Sequence, residues 1–431
     1  MRRWRVAGAV LAAAAVLVAR YASSTTAKVA QTQGQGQSRG QGQGLDQTRS
    51  LRLTADQSGK SAFDPVVIRV TGAVPGSTVT LSAWAIDADH LRWTSAATFH
   101  ADASGTVDLA KQAPISGSYG RADEMGLLWS MNPPPGSKAL GFLGTVNATV
   151  TASDQGMTAT LLVSRHVMAA GETSRVLTVA HDGVEGHFYE PPAAAKPRPA
   201  VITLGGSEGG EATAPIAMAL AAEGYPALSV GYFDVPGTPA GLKNVPLEYF
   251  AKAAMWLAKQ PNVDASHILI WGASRGSEAA LLTAQNFPAL VHGAILYSPS
   301  AEVNGSYPAE GGNAWILHGA PVAALGSAIP VNKVDGPVLA FAGDSDLVWS
   351  SGPWANQIMG ELDQAHDPYP HTATVYRDAG HFVDAEPYMP ALTAFAENGR
   401  EAQAGGTRQA DAAAQGDAWQ KVLKLLAGLS R

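Results

Sequence analysis

The stretch Trp271–Gly276, which reads Trp-Gly-Ala-Ser-Arg-Gly, constrains the fold of this chain more than any other feature. It contains a Gly-x-Ser-x-Gly pentad centred on Ser274. The apolar run His267–Trp271 predicts a short buried strand, and Ser277–Asn286, rich in alanine and leucine, predicts a helix. A serine on such a sharp strand-to-helix turn presents its hydroxyl, and the flanking glycines leave room for the turn. The pattern predicts that Ser274 is a nucleophile, the alternative being a glycine-rich phosphate or packing turn.

An acid partner is expected after a later strand, because the chain order in this architecture is Ser, then Asp or Glu, then His. Gly336–Ala342 predicts that strand, and two aspartates follow it. We favour Asp346, since Gly343 stands three residues before it and gives a Gly-x-x-Asp turn. Asp344 is the alternative.

The histidine is expected in the loop after the next strand, which Thr372–Arg377 predicts. His381 follows there, and Gly380 frees the turn that directs the imidazole toward the nucleophile. Position singles it out among the 11 histidines of the chain. In this hypothesis His381 takes the proton of Ser274 and returns it to the leaving group, while Asp346 fixes the tautomer and stabilises the imidazolium.

Two backbone donors are needed for the oxyanion that forms during acyl transfer. One is expected to be the N–H of Arg275, and the other to come from the glycine-rich loop after the predicted strand Pro199–Leu204. Ser207 and Gly206 are the candidates for that second donor. Glu208, in the same loop, is interpreted as a solvated charge or as a contact with substrate. The loop lacks the P-loop and dinucleotide-binding patterns, which argues against phosphate binding.

Composition narrows the possible functions. A length of 431 residues, with 46% hydrophobic and 15% charged residues, is typical of a folded protein with two or three domains. The formal charge of −7 argues against a nucleic-acid partner. There is no cysteine and no His-Glu-x-x-His pattern, so neither a metal site nor a cofactor is predicted. Nothing in the sequence fixes the oligomeric state.

The amino terminus is typical of a signal peptide over residues 1–30. Three arginines within the first five residues precede a short apolar core, Val6–Val18, and small residues follow. That core is shorter than the roughly 18 residues of a membrane-spanning helix, so we expect export without stable membrane insertion after cleavage; an uncleaved anchor is the alternative. Residues 31–50, rich in glutamine and glycine, predict a flexible spacer.

Two folded regions are predicted after the spacer. Residues 51–166 contain short alternating runs broken by turn residues, which indicate an immunoglobulin-like β-sandwich. The strand candidates there are Val66–Val70, Thr78–Trp84, Ala97–His100, Ala148–Thr151 and Thr158–Val163. The motif Gly126–Pro135 is interpreted as a buried aromatic anchor with a rigid turn, or as part of the substrate cleft.

Residues 176–431 alternate strands with helices, which predicts a C-terminal α/β fold with a largely parallel sheet. Ala212–Glu223 and Leu247–Gln260 are helix candidates, and Ser306–Ile329 is expected to cover the site. Near the end of the chain we expect a mobile loop over Glu401–Gly416 and an amphipathic helix over Asp417–Leu429.

Several motifs together resemble the acyl-coenzyme A thioesterase and bile acid-coenzyme A:amino acid N-acyltransferase family. They are the pentad, Asn244–Phe250, Ile329–Val338, Gly343–Trp349, Gly380-His381 and, near the amino terminus, Gly126–Met131. The resemblance implies a β-sandwich followed by an α/β-hydrolase domain. It also implies a triad of Ser274, Asp346 and His381.

The resemblance implies a small-molecule acyl thioester as substrate. Family members that conjugate amino acids tend to use Cys as nucleophile, so Ser274 favours hydrolysis over the alternative, N-acyl transfer. Because the family is best known inside cells and this chain carries an export signal, an exported carboxylesterase on the same scaffold is a further alternative. Arg275 and Lys333 are candidates to contact coenzyme A phosphates.

Overall fold

The computed structural model describes residues 49–430, apart from residues 58, 60, 135–144, 193–195, 309–310 and 398–399. The predicted signal peptide, the spacer up to residue 48 and the end of the Gly126–Pro135 motif lie outside the described residues.

Two antiparallel sheets form the amino-terminal region. One has three strands in the order β1-β2-β5, and the other has five in the order β6-β4-β3-β7-β8. The strands are β1 (Arg52–Asp56), β2 (Val67–Thr71), β3 (Thr78–Ile86), β4 (Arg92–His100), β5 (Val107–Asp108), β6 (Ser116–Gly117), β7 (Thr145–Asp154) and β8 (Met157–His166). The five predicted strands correspond to β2, β3, β4, β7 and β8. β1 has no counterpart among the predictions, and β5 and β6, with two residues each, are too short to give a clear sequence pattern.

Alternation explains why these strands pack as two layers. Along β3, Val79, Leu81 and Ala83 are buried while the residues between them are exposed. Every second side chain of a strand points to the same face, so one face of the sheet is apolar and the other is wet. The buried faces of both sheets share one core, in which Ile68 of β2 and Val150 of β7 are fully buried.

An eight-stranded sheet forms the carboxy-terminal region, in the order β19-β18-β15-β14-β11-β12-β10-β9. Its strands are β9 (Thr173–Leu177), β10 (Glu185–Glu190), β11 (Arg198–Leu204), β12 (Ala227–Gly231), β14 (Val263–Ala273), β15 (Ala294–Tyr297), β18 (Val338–Gly343) and β19 (His371–Tyr376). The six strands from β12 to β19 in this order are parallel, whereas β9 and β10 are antiparallel. This is the mostly parallel sheet expected from the sequence.

Helices accompany this sheet, so its central strands are buried on both faces. Among the described residues, the α-helices are α1 (Gly126–Trp129), α2 (Val179–Asp182), α3 (Ala214–Ala222), α4 (Leu247–Leu257), α5 (Arg275–Asn286), α6 (Ser351–Gln364) and α7 (Arg408–Leu429). Small strands complete the fold: β13 (Val245–Pro246) with β16 (Trp315–Leu317) and β17 (Ala320–Pro321), and the pair β20 (Ala394–Glu397) and β21 (Arg400–Gln403).

The expectation of a mobile loop over Glu401–Gly416 is wrong. β21 occupies its start, and α7 begins at Arg408, nine residues before the predicted helix. Thr407 caps that helix by accepting a hydrogen bond from the N–H of Ala410 at 3.2 Å. Asp411 is fully buried and accepts from the N–H of Gly380 at 2.7 Å. The segment is ordered by these long-range contacts, which its alanine- and glycine-rich sequence does not reveal.

The Gly126–Met131 part of the amino-terminal motif forms a buried anchor. Trp129 is 2% exposed, and its backbone oxygen accepts hydrogen bonds from Ala391 and Arg408, so the motif contacts the carboxy-terminal region. The side chain of Arg408 also donates to the backbone oxygens of Met131 and Ala391. Of the two interpretations of the motif, a buried aromatic anchor is therefore the one that describes its packing.

Candidate active site

The carboxyl ends of four parallel strands bring the candidate residues together. The register pairs Leu204 with Gly272 and Gly343 with Tyr376, so the loops after β11, β14, β18 and β19 lie along one edge. In open α/β sheets, ligands bind in the crevice at the carboxyl ends of the strands, which is this edge.

Ser274 lies on a strained turn between β14 and α5. Its φ is +51° and its ψ is −120°, values that a residue with a side chain rarely adopts. The glycines of the pentad permit this turn: a Cβ on Gly272 would lie 2.1 Å from the backbone oxygen of Gly276, and a Cβ on Gly276 would lie 2.3 Å from that of Gly205. The N–H of Ser274 is held by the backbone oxygen of Tyr297 at 3.0 Å.

His381 links the serine to an aspartate. Its Nε2 lies 3.0 Å from Ser274 Oγ, and its Nδ1 lies 2.8 Å from Asp346 Oδ2. The Nδ1–H therefore donates to Asp346, which leaves Nε2 to accept the serine proton. The His381 side chain is 7% exposed, and its imidazole packs edge-on against the ring of Trp349, with centroids 5.7 Å apart.

Asp346, rather than Asp344, contacts the histidine. Its Oδ2 also accepts from Ser351 Oγ at 2.6 Å, and its Oδ1 accepts from the N–H of Val348 at 2.8 Å. Asp344 is exposed, and its Oδ1 instead accepts from the N–H of Asp378 at 2.8 Å. The structure thus brings Ser274, His381 and Asp346 together and leaves Asp344 outside this arrangement.

Opposing effects set the pKa of His381. Burial disfavours the imidazolium and alone would lower the pKa, but the hydrogen bond to Asp346 and the negative charges of Asp384 and Glu208 outweigh it. The pKa is therefore raised above its ordinary value. A more basic Nε2 is a better acceptor for the serine proton.

The three candidate oxyanion donors differ in their contacts. The N–H of Gly206 already donates to Glu208 Oε1 at 2.7 Å. Among the residues that the structure describes, the N–H groups of Ser207 and Arg275 donate to no protein group. Of the two loop candidates, Ser207 is thus the one whose amide is available.

The side chain of Arg275 is engaged away from solvent. Its Nε lies 2.9 Å from Glu278 Oε2, and the two side chains are 10% and 0% exposed. Its Nη2 donates to the backbone oxygen of Gly305 at 2.9 Å. This ion pair leaves Arg275 poorly placed for a coenzyme A phosphate. Lys333 is exposed, and its backbone N–H donates to Gln285.

Two residues near the site were missed or undervalued by the sequence reasoning. Asp384 Oδ2 lies 3.9 Å from His381 Nε2, and only its spacing of three residues after the histidine hinted at this. Asn304 donates its backbone N–H to Glu278 at 2.6 Å, so the chain just before the segment Ser306–Ile329, which was expected to cover the site, is held against α5. No sequence signal pairs Asn304 with Glu278.

The described part of the chain contains no cluster of His, Cys, Asp and Glu suited to a metal ion. Within the same residues, no helix is long and apolar enough to cross a membrane.

Comparison with known families identifies both regions. The family described as acyl-CoA thioester hydrolase/BAAT N-terminal region matches residues 64–186, and the C-terminal region of the same family matches residues 245–308 and 320–428. The chain belongs to the acyl-CoA thioester hydrolase/BAAT family. Ser274, Asp346 and His381 all lie within the segments matched by the family's C-terminal region.

Relatives within the acyl-CoA thioester hydrolase/BAAT family match over most of their length. Acyl-coenzyme A thioesterase 1 of Rattus norvegicus is 28% identical over 409 residues, which cover 86% of this chain and 94% of the relative. The mitochondrial acyl-coenzyme A thioesterase 2 of Mus musculus is 28% identical over 402 residues, covering 86% and 87%. The peroxisomal succinyl-coenzyme A thioesterase of Mus musculus is 27% identical over 414 residues, covering 86% and 95%. This chain is a thioester or ester hydrolase of that family.

Proposed function

We propose that the chain hydrolyses an acyl thioester through a covalent acyl-enzyme on Ser274. The observation that carries the proposal is the position of His381, within hydrogen-bond distance of both Ser274 and Asp346. As Oγ attacks the acyl carbon, its proton passes to Nε2, and Asp346 stabilises the resulting imidazolium. His381 then protonates the departing thiolate, and the acyl group remains on Ser274.

Deacylation repeats the same steps with water as the nucleophile. His381 accepts a proton from the water that attacks the acyl-enzyme, and it returns that proton to Ser274 Oγ as the carboxylic acid leaves. In both half-reactions the negative oxygen of the tetrahedral intermediate is held by the N–H groups of Arg275 and Ser207. These amides are chosen because neither is engaged by another described group.

The proposed substrate class is an acyl-coenzyme A-like thioester. The relatives named above as acyl-coenzyme A thioesterases support this class. A simple carboxylic ester is the second candidate, and it is favoured by the engagement of Arg275 with Glu278, which leaves that cation unavailable to a phosphate.

We also propose that the mature chain acts outside the cytoplasm. The arginines at the amino terminus and the apolar core Val6–Val18 support export. Fractionation of the native host, with the amino-terminal sequence of the mature form, tests this. A mature chain starting near Val29 is expected, and an intact Met1 in the cytoplasmic fraction would contradict it.

A substrate panel tests the proposed reaction. Acyl-coenzyme A thioesters of graded chain length, read by thiol release, are compared with matching aryl esters, with and without glycine as an acceptor. Ser274→Ala is expected to lower kcat/KM by at least about 10⁴-fold while the protein stays folded. Retained turnover in the folded variant would overturn the mechanism. Faster turnover of esters would make the enzyme a carboxylesterase, and a glycine conjugate outpacing free acid would make it an acyltransferase.

A further inference from the structure

The carboxylate of Glu208 lies inside the candidate active site, although the residue as a whole is exposed. Its Oε1 accepts the N–H of Gly206 at 2.7 Å, so the side chain folds back over its own loop. A Cβ placed on Gly206 would lie 2.9 Å from Glu208 Oε2 and 3.0 Å from Ser274 Cβ. Since both distances start from one point, that carboxylate oxygen lies within about 6 Å of Ser274 Cβ.

Asp384 is a second carboxyl group beside the imidazole. Its Oδ2 lies 3.9 Å from His381 Nε2, the nitrogen that faces Ser274. Burial raises the pKa of Asp384 to about 7, and the neighbouring charges of Glu208 and Glu386 act in the same direction. The three carboxylates are thus close enough to repel one another.

His381 is the basic side chain beside these carboxylates, and within the described residues no lysine or arginine forms an ion pair with them. The ion pairs found there include none between a lysine or arginine and Glu208, Asp384 or Glu386. Arg275, the nearest arginine in sequence to the nucleophile, is paired with Glu278. Burial raises the pKa of the Glu208 carboxyl, and the neighbouring His381 opposes that shift. Above this raised pKa, the acyl group of a substrate enters a space that carries the negative charge of Glu208.

We propose that Glu208 is a specificity-determining residue that selects against acyl groups bearing a negative charge near the scissile carbonyl. This inference rests on the proposed acyl transfer to Ser274. The preferred substrates are then thioesters of neutral aliphatic acids. Thioesters of short dicarboxylic acids, which keep one free carboxylate, are rejected. Glu208 acts here by its charge, and it takes no part in proton transfer.

The size of the discrimination follows from Coulomb's law. Two unit charges about 8 Å apart, at an effective dielectric constant of about 20, repel strongly enough to change a rate by more than about tenfold. Glu208 also repels the oxyanion of every substrate. That effect is common to neutral and anionic acyl groups, so it cancels in a ratio of their kcat/KM values.

Butyryl and succinyl thioesters of N-acetylcysteamine form a matched pair of probes, because the leaving group is uncharged and the acyl chains have equal length. The measured quantity is the ratio of kcat/KM for butyryl over succinyl, taken on the alkaline side of neutrality because burial raises the pKa of Glu208, with Ser274→Ala as the blank for spontaneous breakdown. Glu208→Gln keeps the shape and an oxygen for the N–H of Gly206 but removes the charge. Glu361→Gln, in α6, is the matched control. Because both substrates are measured on one preparation, the ratio does not depend on the folded fraction.

We expect a ratio of at least about ten in the unaltered enzyme, a several-fold smaller ratio in Glu208→Gln, and no change in Glu361→Gln. Equal turnover of the two thioesters, or a ratio that Glu208→Gln leaves unchanged, would overturn the inference while leaving the proposed hydrolysis intact. Failure to cleave the butyryl thioester above the Ser274→Ala blank would instead count against the proposed function itself.

Discussion

The two sheet regions of the molecule bury their apolar side chains in different ways. In the amino-terminal β-sandwich, β3 alternates buried and exposed residues, as expected of an antiparallel strand with one wet face. In the carboxy-terminal sheet, every residue of β12 and β15 is buried, because helices cover both faces. A sheet buried on both faces has its accessible polar positions in the loops at strand ends.

That difference explains where the reactive groups lie. Ser274, Asp346 and His381 follow β14, β18 and β19, and Ser207 follows β11. The β-sandwich instead contributes packing, since Phe63 meets Trp419 of α7 edge-on with ring centroids 5.4 Å apart. The candidate site residues therefore lie in the carboxy-terminal sheet region, and the β-sandwich packs against that region.

The largest loss of activity is expected from a substitution in the loop after β18. Asp346→Asn removes the acceptor that holds the His381 tautomer, and we expect kcat to fall by roughly 10³- to 10⁴-fold. Asp344→Asn, two residues away and exposed, is the matched control and should stay within about threefold. Steady-state kinetics on one thioester decides between them. A large loss in Asp344→Asn with activity retained in Asp346→Asn would reverse the assignment of the acid.

A change at the boundary between the two regions should affect stability first. Arg408 donates to backbone oxygens of Ala391, Trp129 and Met131, and Arg408→Ala leaves these acceptors without their charged donor. We expect the free energy of unfolding to fall by about 2–4 kcal/mol, measured by urea denaturation. Arg377→Ala, whose side chain is 90% exposed, is the control and should change it by less than about 0.5 kcal/mol. A stability equal to that of the unaltered protein in Arg408→Ala would show that the boundary contacts contribute little.

The smallest effect expected is a shift in pH dependence. His381 must be neutral to accept the serine proton, so kcat/KM falls as the pH drops through its raised pKa. Asp384→Asn removes a charge that raises this pKa, and the acid limb should therefore move to lower pH. Asp89→Asn, exposed in the β-sandwich, should leave the limb in place. A limb displaced to higher pH in Asp384→Asn would contradict the assigned electrostatics.

Sequence patterns anticipated the parallel sheet and the three residues at its edge because these depend on local signals. The pentad around Ser274 predicts the turn on which it lies, and a run of apolar residues predicts a buried strand. By contrast, the choice between Asp344 and Asp346 needed the position of His381, 35 residues after Asp346. Local spacing favoured Asp346 but held no information about that distant partner.

The features that the sequence patterns missed depend on the three-dimensional path of the chain and on the direction of its side chains. The order in the segment after Glu401 depends on contacts such as that of Asp411 with Gly380, 31 residues away. The carboxylate of Glu208 turns back to Gly206, whereas its loop position favoured a solvated charge over a contact with substrate. The sequence of a glycine-rich loop does not determine the direction of its side chains, because glycine permits many backbone paths.

The most direct test of the central claim is labelling of the mature protein with a fluorophosphonate probe, followed by mass spectrometry of its peptides. A strained serine next to a basic imidazole should react at Ser274 alone, with one probe per chain. His381→Ala should slow labelling greatly, and prior incubation with a slowly hydrolysed acyl thioester should protect the site. Failure to label folded protein, or a label on any serine other than Ser274, would contradict the account.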